Sequence, residues 1–311
     1  MGIEIQSIRL LLLARELGID FADTLTIGRQ NMMVREDQVA SAFADFDTPL
    51  GHGECGAIAG VPDPFSTAIF TKLGARRIAA MDISDYEGAS VIHDLNAPLA
   101  EEHQGRFSLV FDGGTLEHVF NCPTALASYM KLPRVGGHLI VSVPSNNEMG
   151  HGFYQFSPEF FFRTLSPENG YAIRGLFLAP VFTERSWLMV RDPERMRRRV
   201  GYNGWRMPTY IFVIAERLTN VTPFTRPPQQ SDYAVEWESA ANGDTDKPIA
   251  NAARVHSLAS LAGTRARAVT PGLVLDVARQ VRERLKRPDA ESLTPLNPRA
   301  GSAAQVAAAY R

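Results

Sequence analysis

Residues 107–111 form a continuously apolar run that stops at Asp112-Gly113-Gly114. A short apolar run closed by turn residues reads as a strand buried on both faces, as at the centre of a parallel sheet. The residues after it, Thr115 to His118 in order, are helix formers. On either side the pattern alternates between two periods. Residues 4–17 bring Ile5, Ile8, Leu11, Leu12 and Leu17 near helical spacing, which predicts an amphipathic helix closed at Gly18. Residues 24–27 are a β-branched run ending in Gly28-Arg29-Gln30, a first strand and its turn. Helices are expected over 34–46 and 65–73. A second strand over 77–81 leads into Asp82-Ile83-Ser84-Asp85, and a third over 90–94 leads into Asp94-Leu95-Asn96. Asn121-Cys122-Pro123 opens a further helix whose buried face is Leu126, Tyr129 and Met130. Residues 138–143 form the next strand, and Ser157-Pro158-Glu159 caps another helix.

Strands alternating with helices predict an α/β fold: a doubly wound, mostly parallel, Rossmann-like sheet. Residues 176–182 and 209–215 read as strands with no crossover helix between them, so an antiparallel pair at one sheet edge is expected. Between them, residues 183–207 carry seven arginines against three acids, either a solvated helix face or a patch for an anionic substrate or partner. From Thr222 the composition turns polar, Pro-rich and Gly-bearing. This divides the chain into an α/β domain over 1–218, a linker over 219–272 with too little apolar surface to pack, and a helix (273–285) with an aperiodic tail over 273–311, a poorly ordered extension.

Gly51-His52-Gly53-Glu54-Cys55-Gly56 matches G-x-G-x-x-G, but the phosphate-binding version needs a strand before it and a helix starting at it. Pro49 precedes it and Pro62 and Pro64 follow, so it reads as a flexible glycine loop.

The chain has 311 residues, 45% hydrophobic and 21% charged, which is ordinary globular composition. A net charge of −2 argues against a protein built to hold nucleic acid. Cys55 and Cys122 make no metal-ligand spacing, and no His, Asp or Glu group has helical or hairpin ligand spacing, so no metal is expected. Apolar runs such as 10–14 are too short to span a bilayer, and no signal peptide shows. The expectation is a cytoplasmic protein without membrane contact.

The strand ends carry Gly28, Asp82, Asp94 and Asp112, all expected on one edge of the sheet. A carboxylate after the second strand can accept hydrogen bonds from both hydroxyls of a ribose, which points to an adenosine-type cofactor. Together with Val135-Gly136-Gly137-His138-Leu139-Ile140 and Gly150-His151 ahead of Phe156-Ser157-Pro158-Glu159, these stretches resemble class I S-adenosylmethionine-dependent methyltransferases of the small-molecule branch, over residues 20–218. The resemblance implies S-adenosylmethionine as cofactor. It implies Asp82 on the ribose, Ile83 against the adenine, Asp94 and Leu95 at the adenine amino group, and Asp112-Gly113 beside the methionine part. The sequence departs from the family at the first-strand turn, where Gly28 is followed by Arg29 and Gln30 rather than more glycine. A bulky side chain there either narrows the pocket or supplies a substitute contact to the cofactor carboxylate.

Methyl transfer from a sulfonium relies mainly on positioning, with a base for a weakly acidic acceptor. His118 and Glu117 are candidates with structural alternatives. His151, in a polar glycine-flanked loop, is the chosen catalytic base, with Tyr154 and Gln155 as substrate contacts. The expected activity is methyl transfer to a small hydroxylated or sugar-like metabolite. The alternative is a non-catalytic relative serving as a binding module. Oligomeric state is not legible.

Overall fold

The computed structural model describes residues 2–181, 187–197, 199–201, 207–234 and 292–311. Its strands are β1 (Gly2–Ile3), β2 (Asp23–Ile27), β3 (Asn31–Met32), β4 (Arg77–Asp82), β5 (Val91–Ile92), β6 (Phe107–Asp112), β7 (Pro133–Asn146), β8 (Tyr171–Pro180), β9 (Trp187–Val190), β10 (Thr209–Arg217) and β11 (Leu293–Leu296). The helices are α1 (Ile5–Glu16), α2 (Glu36–Asp45), α3 (His52–Ile58), α4 (Thr67–Lys72), α5 (Cys122–Lys131), α6 (Pro158–Thr164), α7 (Pro193–Met196) and α8 (Ser302–Ala309).

Nine strands form one sheet in the order β11-β9-β8-β10-β7-β6-β2-β4-β5, while β1 and β3 pair separately. From β7 to β5 every pairing is parallel; from β7 outward through β10, β8, β9 and β11 every pairing is antiparallel. The chain starts at β2, steps out through β4 to β5, then returns to β6 on the other side of β2. That reversal is the switch point of a doubly wound sheet, where a crevice opens beyond the carboxyl ends of the strands. The register brings Ile27 opposite both Met81 and Asp112, so the turns after β2, β4 and β6 lie side by side.

β6 is buried at all six positions, as its uninterrupted apolar pattern requires. One face of the sheet packs on α5 and α6 through Leu126, Tyr129, Met130 and Phe161. The other packs on α1, α2, α4 and α8 through Leu11, Phe43, Phe70 and Val306. Ser157 caps α6 as the sequence implies, its side chain accepting from the Phe160 amide.

Four expectations are corrected. The 5–16 helix is enclosed rather than amphipathic, with its ten residues from Ile5 to Ala14 all buried. Its polar members find partners: Arg9 pairs with Asp45 at 2.7 Å, and Gln6 accepts from the Trp187 indole at 2.9 Å. The glycine loop at 51–56 is instead the start of α3, begun at Gly51 and following a helix, not a strand. The β8–β10 pair is antiparallel as expected but is not the edge, because β9 and β11 continue the sheet past it. β9 comes from the arginine-rich segment and is buried throughout.

The end of the chain is also packed where an aperiodic tail was expected. Glu16 accepts from the amides of Gly301 (2.9 Å) and Ala303 (3.3 Å), meeting the unpaired N–H groups at the start of α8. The Tyr310 hydroxyl accepts from Leu176 N at 2.9 Å and lies 2.6 Å from the Leu176 carbonyl and 2.7 Å from that of Val190. The expected helix at 273–285 and most of the expected linker lie outside the described residues. Tyr310→Phe leaves those backbone groups short of a partner and should lower stability by about 1–3 kcal/mol, read as a lower denaturant midpoint at unchanged slope. An unchanged midpoint would mean that the chain end contributes no packing.

Candidate active site

β6 delivers Asp112 to the crevice floor with no solvent exposure. Its Oδ1 accepts from the amides of Gly114 (3.0 Å) and Thr115 (2.7 Å), and its Oδ2 from that of Leu116 (3.1 Å). The carboxylate therefore caps a single 3-10 turn, Leu116–His118. Asp112 organises this turn, and both its oxygens are engaged there. Thr115 Oγ1 donates to the Ile27 carbonyl at 3.1 Å, which ties the turn to the end of β2.

The turn points Glu117 inward. Its side chain has no exposure, and neither carboxylate oxygen has a hydrogen-bond partner among the described residues. Burial, reinforced by the neighbouring Asp112 charge, pushes its pKa up to about 8. Asp112 is raised too, by the same burial, but its three amide donors counter the shift. His151 Nε2 lies 3.3 Å and His118 Nε2 3.9 Å from Glu117 Oε1. The two imidazoles meet edge to face with centroids 4.8 Å apart and are about 40% exposed, so they form the outer wall. Burial, with His151 nearby, lowers the His118 pKa and favours the neutral ring.

The loop carrying His151 is clamped to the turn carrying Glu117. The amides of Phe153 (2.7 Å) and Tyr154 (3.3 Å) both donate to the Glu117 carbonyl. Gly152 makes this possible: its φ is +70°, and a Cβ there would stand 2.7 Å from that same carbonyl oxygen. The sequence reading placed Tyr154 and Gln155 on the substrate. Here the Tyr154 hydroxyl donates to the Phe120 carbonyl at 2.7 Å and Gln155 Oε1 accepts from the Glu148 amide at 3.1 Å, so both hold the loop.

Across the crevice, Asp82 ends β4. Its Oδ1 accepts from the Ile83 amide at 2.7 Å, no hydrogen bond to Oδ2 is made among the described residues, and Ile83 beside it is 67% exposed. Asp94 is exposed and accepts from the Asn96 amide at 2.9 Å, while Leu95 turns into the core. Gly28 adopts φ +70°, and its amide donates to the Met81 carbonyl at 2.7 Å. The two residues that replace the expected glycines are each held by neighbouring groups. The Arg29 guanidinium stacks on Phe65 at 3.9 Å. Gln30 is buried, donates to the Ile27 carbonyl, and leaves its amide oxygen unpartnered. A Cβ on Gly113 would lie 2.5 Å from that oxygen, so the bulk added at Gln30 is matched by the absence of a side chain at Gly113.

Ile83, Tyr86, Ile92, Phe120, Met149 and Phe153 are exposed, and all lie at or just past the carboxyl ends of β4 to β7. Large apolar side chains gathered on one edge around a few polar groups mark a ligand site. A second cavity, of about 620 Å³, opens between α6, α7 and residues 224–232. Its Arg163 is already paired with Glu159, Asp192 and Glu194, and its Arg199 with Asp232, while the exposed Arg197 also lines it.

The structure thus brings Gly28, Asp82, Asp112 and Gly113 to one edge with His151, and Glu117 and His118 join them. The convergence of those two with His151 was not legible in the sequence, because adjacent residues on a short turn have no ligand periodicity and their partner lies more than thirty positions away. Gly152→Ala should cost about 1–3 kcal/mol of stability and speed hydrogen exchange at the Phe153 and Tyr154 amides. Unchanged exchange there would show that the clamp is not what holds the loop.

No protein-family model and no curated protein matches this chain. Among solved structures, it is similar to a Burkholderia thailandensis 1,6-didemethyltoxoflavin-N1-methyltransferase with bound 1,6-didemethyltoxoflavin and S-adenosylhomocysteine, at 15% identity over 68% of this chain and 77% of the other, TM-score 0.35. It is also similar to the Thermus thermophilus branched-chain polyamine synthase in complex with N4-aminopropylspermidine and 5′-methylthioadenosine (16% identity, 74% and 63% covered, TM-score 0.37). A geranyl diphosphate methyltransferase in complex with S-adenosylmethionine is similar at 10% identity, 67% and 84% covered, TM-score 0.36.

Proposed function

We propose that this protein binds S-adenosylmethionine beyond the carboxyl ends of β2, β4 and β6 and transfers its methyl group to a small hydroxylated, sugar-like acceptor. The observation that carries the reading is the pairing of the Asp82 carboxylate with an exposed Ile83 at the switch point, on the same sheet edge as the Glu117, His118 and His151 group. Asp82 Oδ2 would take the ribose hydroxyls, Ile83 the adenine face, and Asp94 with the adjoining Leu95 backbone the adenine amino group. Gly28 and Gly113 let the backbone approach closely. The unpartnered Gln30 amide oxygen is an acceptor for an amino group, and Arg29 at the rim is a cation for a carboxylate, so the divergent turn keeps donors and acceptors suited to an amino-acid moiety.

The cofactor, when bound, supplies a methyl group already activated on a sulfonium. What remains for the chain is alignment of the acceptor and a destination for its proton. His151 is placed for that task, its ring half-open to the crevice and its loop fixed on Glu117. A second reading, a binding module without catalysis, is favoured by the side chain of Gln30 filling space where the family has glycine.

Calorimetric titration of the full chain with S-adenosylmethionine and its demethylated product tests the proposal. Asp82→Ala should weaken binding by roughly 1.5–3 kcal/mol, or about ten- to a hundredfold, with the fold unchanged. Unchanged affinity removes Asp82 from the ribose. Absence of binding by the unmutated protein overturns the methyl-transfer reading in favour of the second.

A further inference from the structure

We infer that Glu117, His118 and His151 form a binding site for a single divalent transition-metal ion of the zinc class. One donor atom from each residue lies within 4.8 Å of the other two. A tetrahedral ion with bonds of about 2.0–2.2 Å places its ligands roughly 3.3–3.6 Å apart. Glu117 Oε1 and His151 Nε2 already stand at 3.3 Å, and His118 Nε2, at 3.9 Å from the same oxygen, closes the gap by a small rotation of a half-exposed ring.

A second observation points to a ligand independently of the spacing. The Glu117 carboxylate is fully buried, and both of its oxygens lack a hydrogen-bond partner among the described residues. Buried polar oxygens are ordinarily satisfied, and Asp112, five residues upstream and equally buried, accepts three amides. The contrast singles Glu117 out as an acceptor aimed at something absent from the polypeptide, and its oxygen faces two imidazole nitrogens.

The surroundings are built to hold the three donors in place. The capped turn sets Glu117 and His118, and the Gly152 clamp brings His151 to them. Ligands locked by backbone hydrogen bonds are what a preorganised metal site requires. Two imidazoles and one carboxylate suit zinc, manganese or ferrous ions better than magnesium, and three protein ligands with an open side towards the crevice are the arrangement of a catalytic site rather than a structural one.

Binding of the ion does not depend on the methyl-transfer reading; its use does. On that reading, the ion would make an acceptor hydroxyl at the open position more acidic, its proton would pass to solvent at the mouth of the crevice, and His151 would hold the ion in place of the base role given to it above.

The test is calorimetric titration of chelator-treated full-length protein with zinc alone, alongside cobalt(II) absorption, for the unmutated protein, His118→Ala, His151→Ala, Glu117→Gln and His52→Ala. The expected result is one zinc per chain, an affinity loss of at least about 10–100-fold in each of the three ligand variants, and loss of the tetrahedral cobalt bands. His52, paired with Glu36 on the surface, is the control and should change nothing. The two histidine variants alter half-exposed side chains, so they decide the matter if Glu117→Gln fails to fold. No zinc binding, or binding that survives both histidine substitutions, or binding lost only in His52→Ala, overturns the inference. Parallel titration with S-adenosylmethionine separates the two proposals: cofactor binding without zinc binding defeats this one alone, and zinc binding without cofactor binding supports this one and defeats the other.

Discussion

The candidate site depends on the capping of the 114–118 turn by the buried Asp112 carboxylate. Removing a carboxylate from water costs several kcal/mol, and three hydrogen bonds to a charged acceptor return about 1.5–3 kcal/mol each, so the charge is sustained there. The consequence is geometric. With Gly114, Thr115 and Leu116 held by one side chain, the chain folds into a single tight turn and delivers Glu117 into the crevice floor. Glu117 receives no comparable compensation, and the different fates of two neighbouring carboxylates create the chemistry of the site.

Glycines transmit that constraint. Gly152 lets the loop after β7 settle on the Glu117 carbonyl, so a histidine far away in sequence is fixed against the turn. Gly113 makes room for Gln30, so the end of β2 and the end of β6 interlock despite the missing glycine turn. Each contact is tighter than a Cβ would permit, and each joins two strand ends across the crevice. Rigidity of this kind suits a reaction in which alignment carries most of the barrier reduction.

The antiparallel half of the sheet serves the same end from a distance. β10 lies between β7 and β8, and the last residues of the chain close the far edge as β11 and α8. Glu16 at the end of α1 meets the start of α8, so these two helices share one anchoring point.

The parallel half of the fold was legible in the sequence because its causes are local. The buried run of β6, the β-branched β2 and the Asp-bearing ends of β4 and β6 carry their period and their turn residues with them. Asp82, Gly28 and Gly113 were recognisable for the same reason: a carboxylate or a glycine at a strand end has a defined place. What depended on distant partners was not. The polar residues of α1 look solvent-facing until Asp45 and Trp187 meet them, and the final segment looks aperiodic because a four-residue edge strand and an alanine-rich helix carry little pattern of their own. Tertiary structure alone decided that Asp112 caps a turn, that Glu117 is buried with no hydrogen-bond partner among the described residues, and that His118 and His151 converge on it. Burial and convergence are properties of how strands are ordered in the sheet, and no window of sequence around residue 117 contains residue 151.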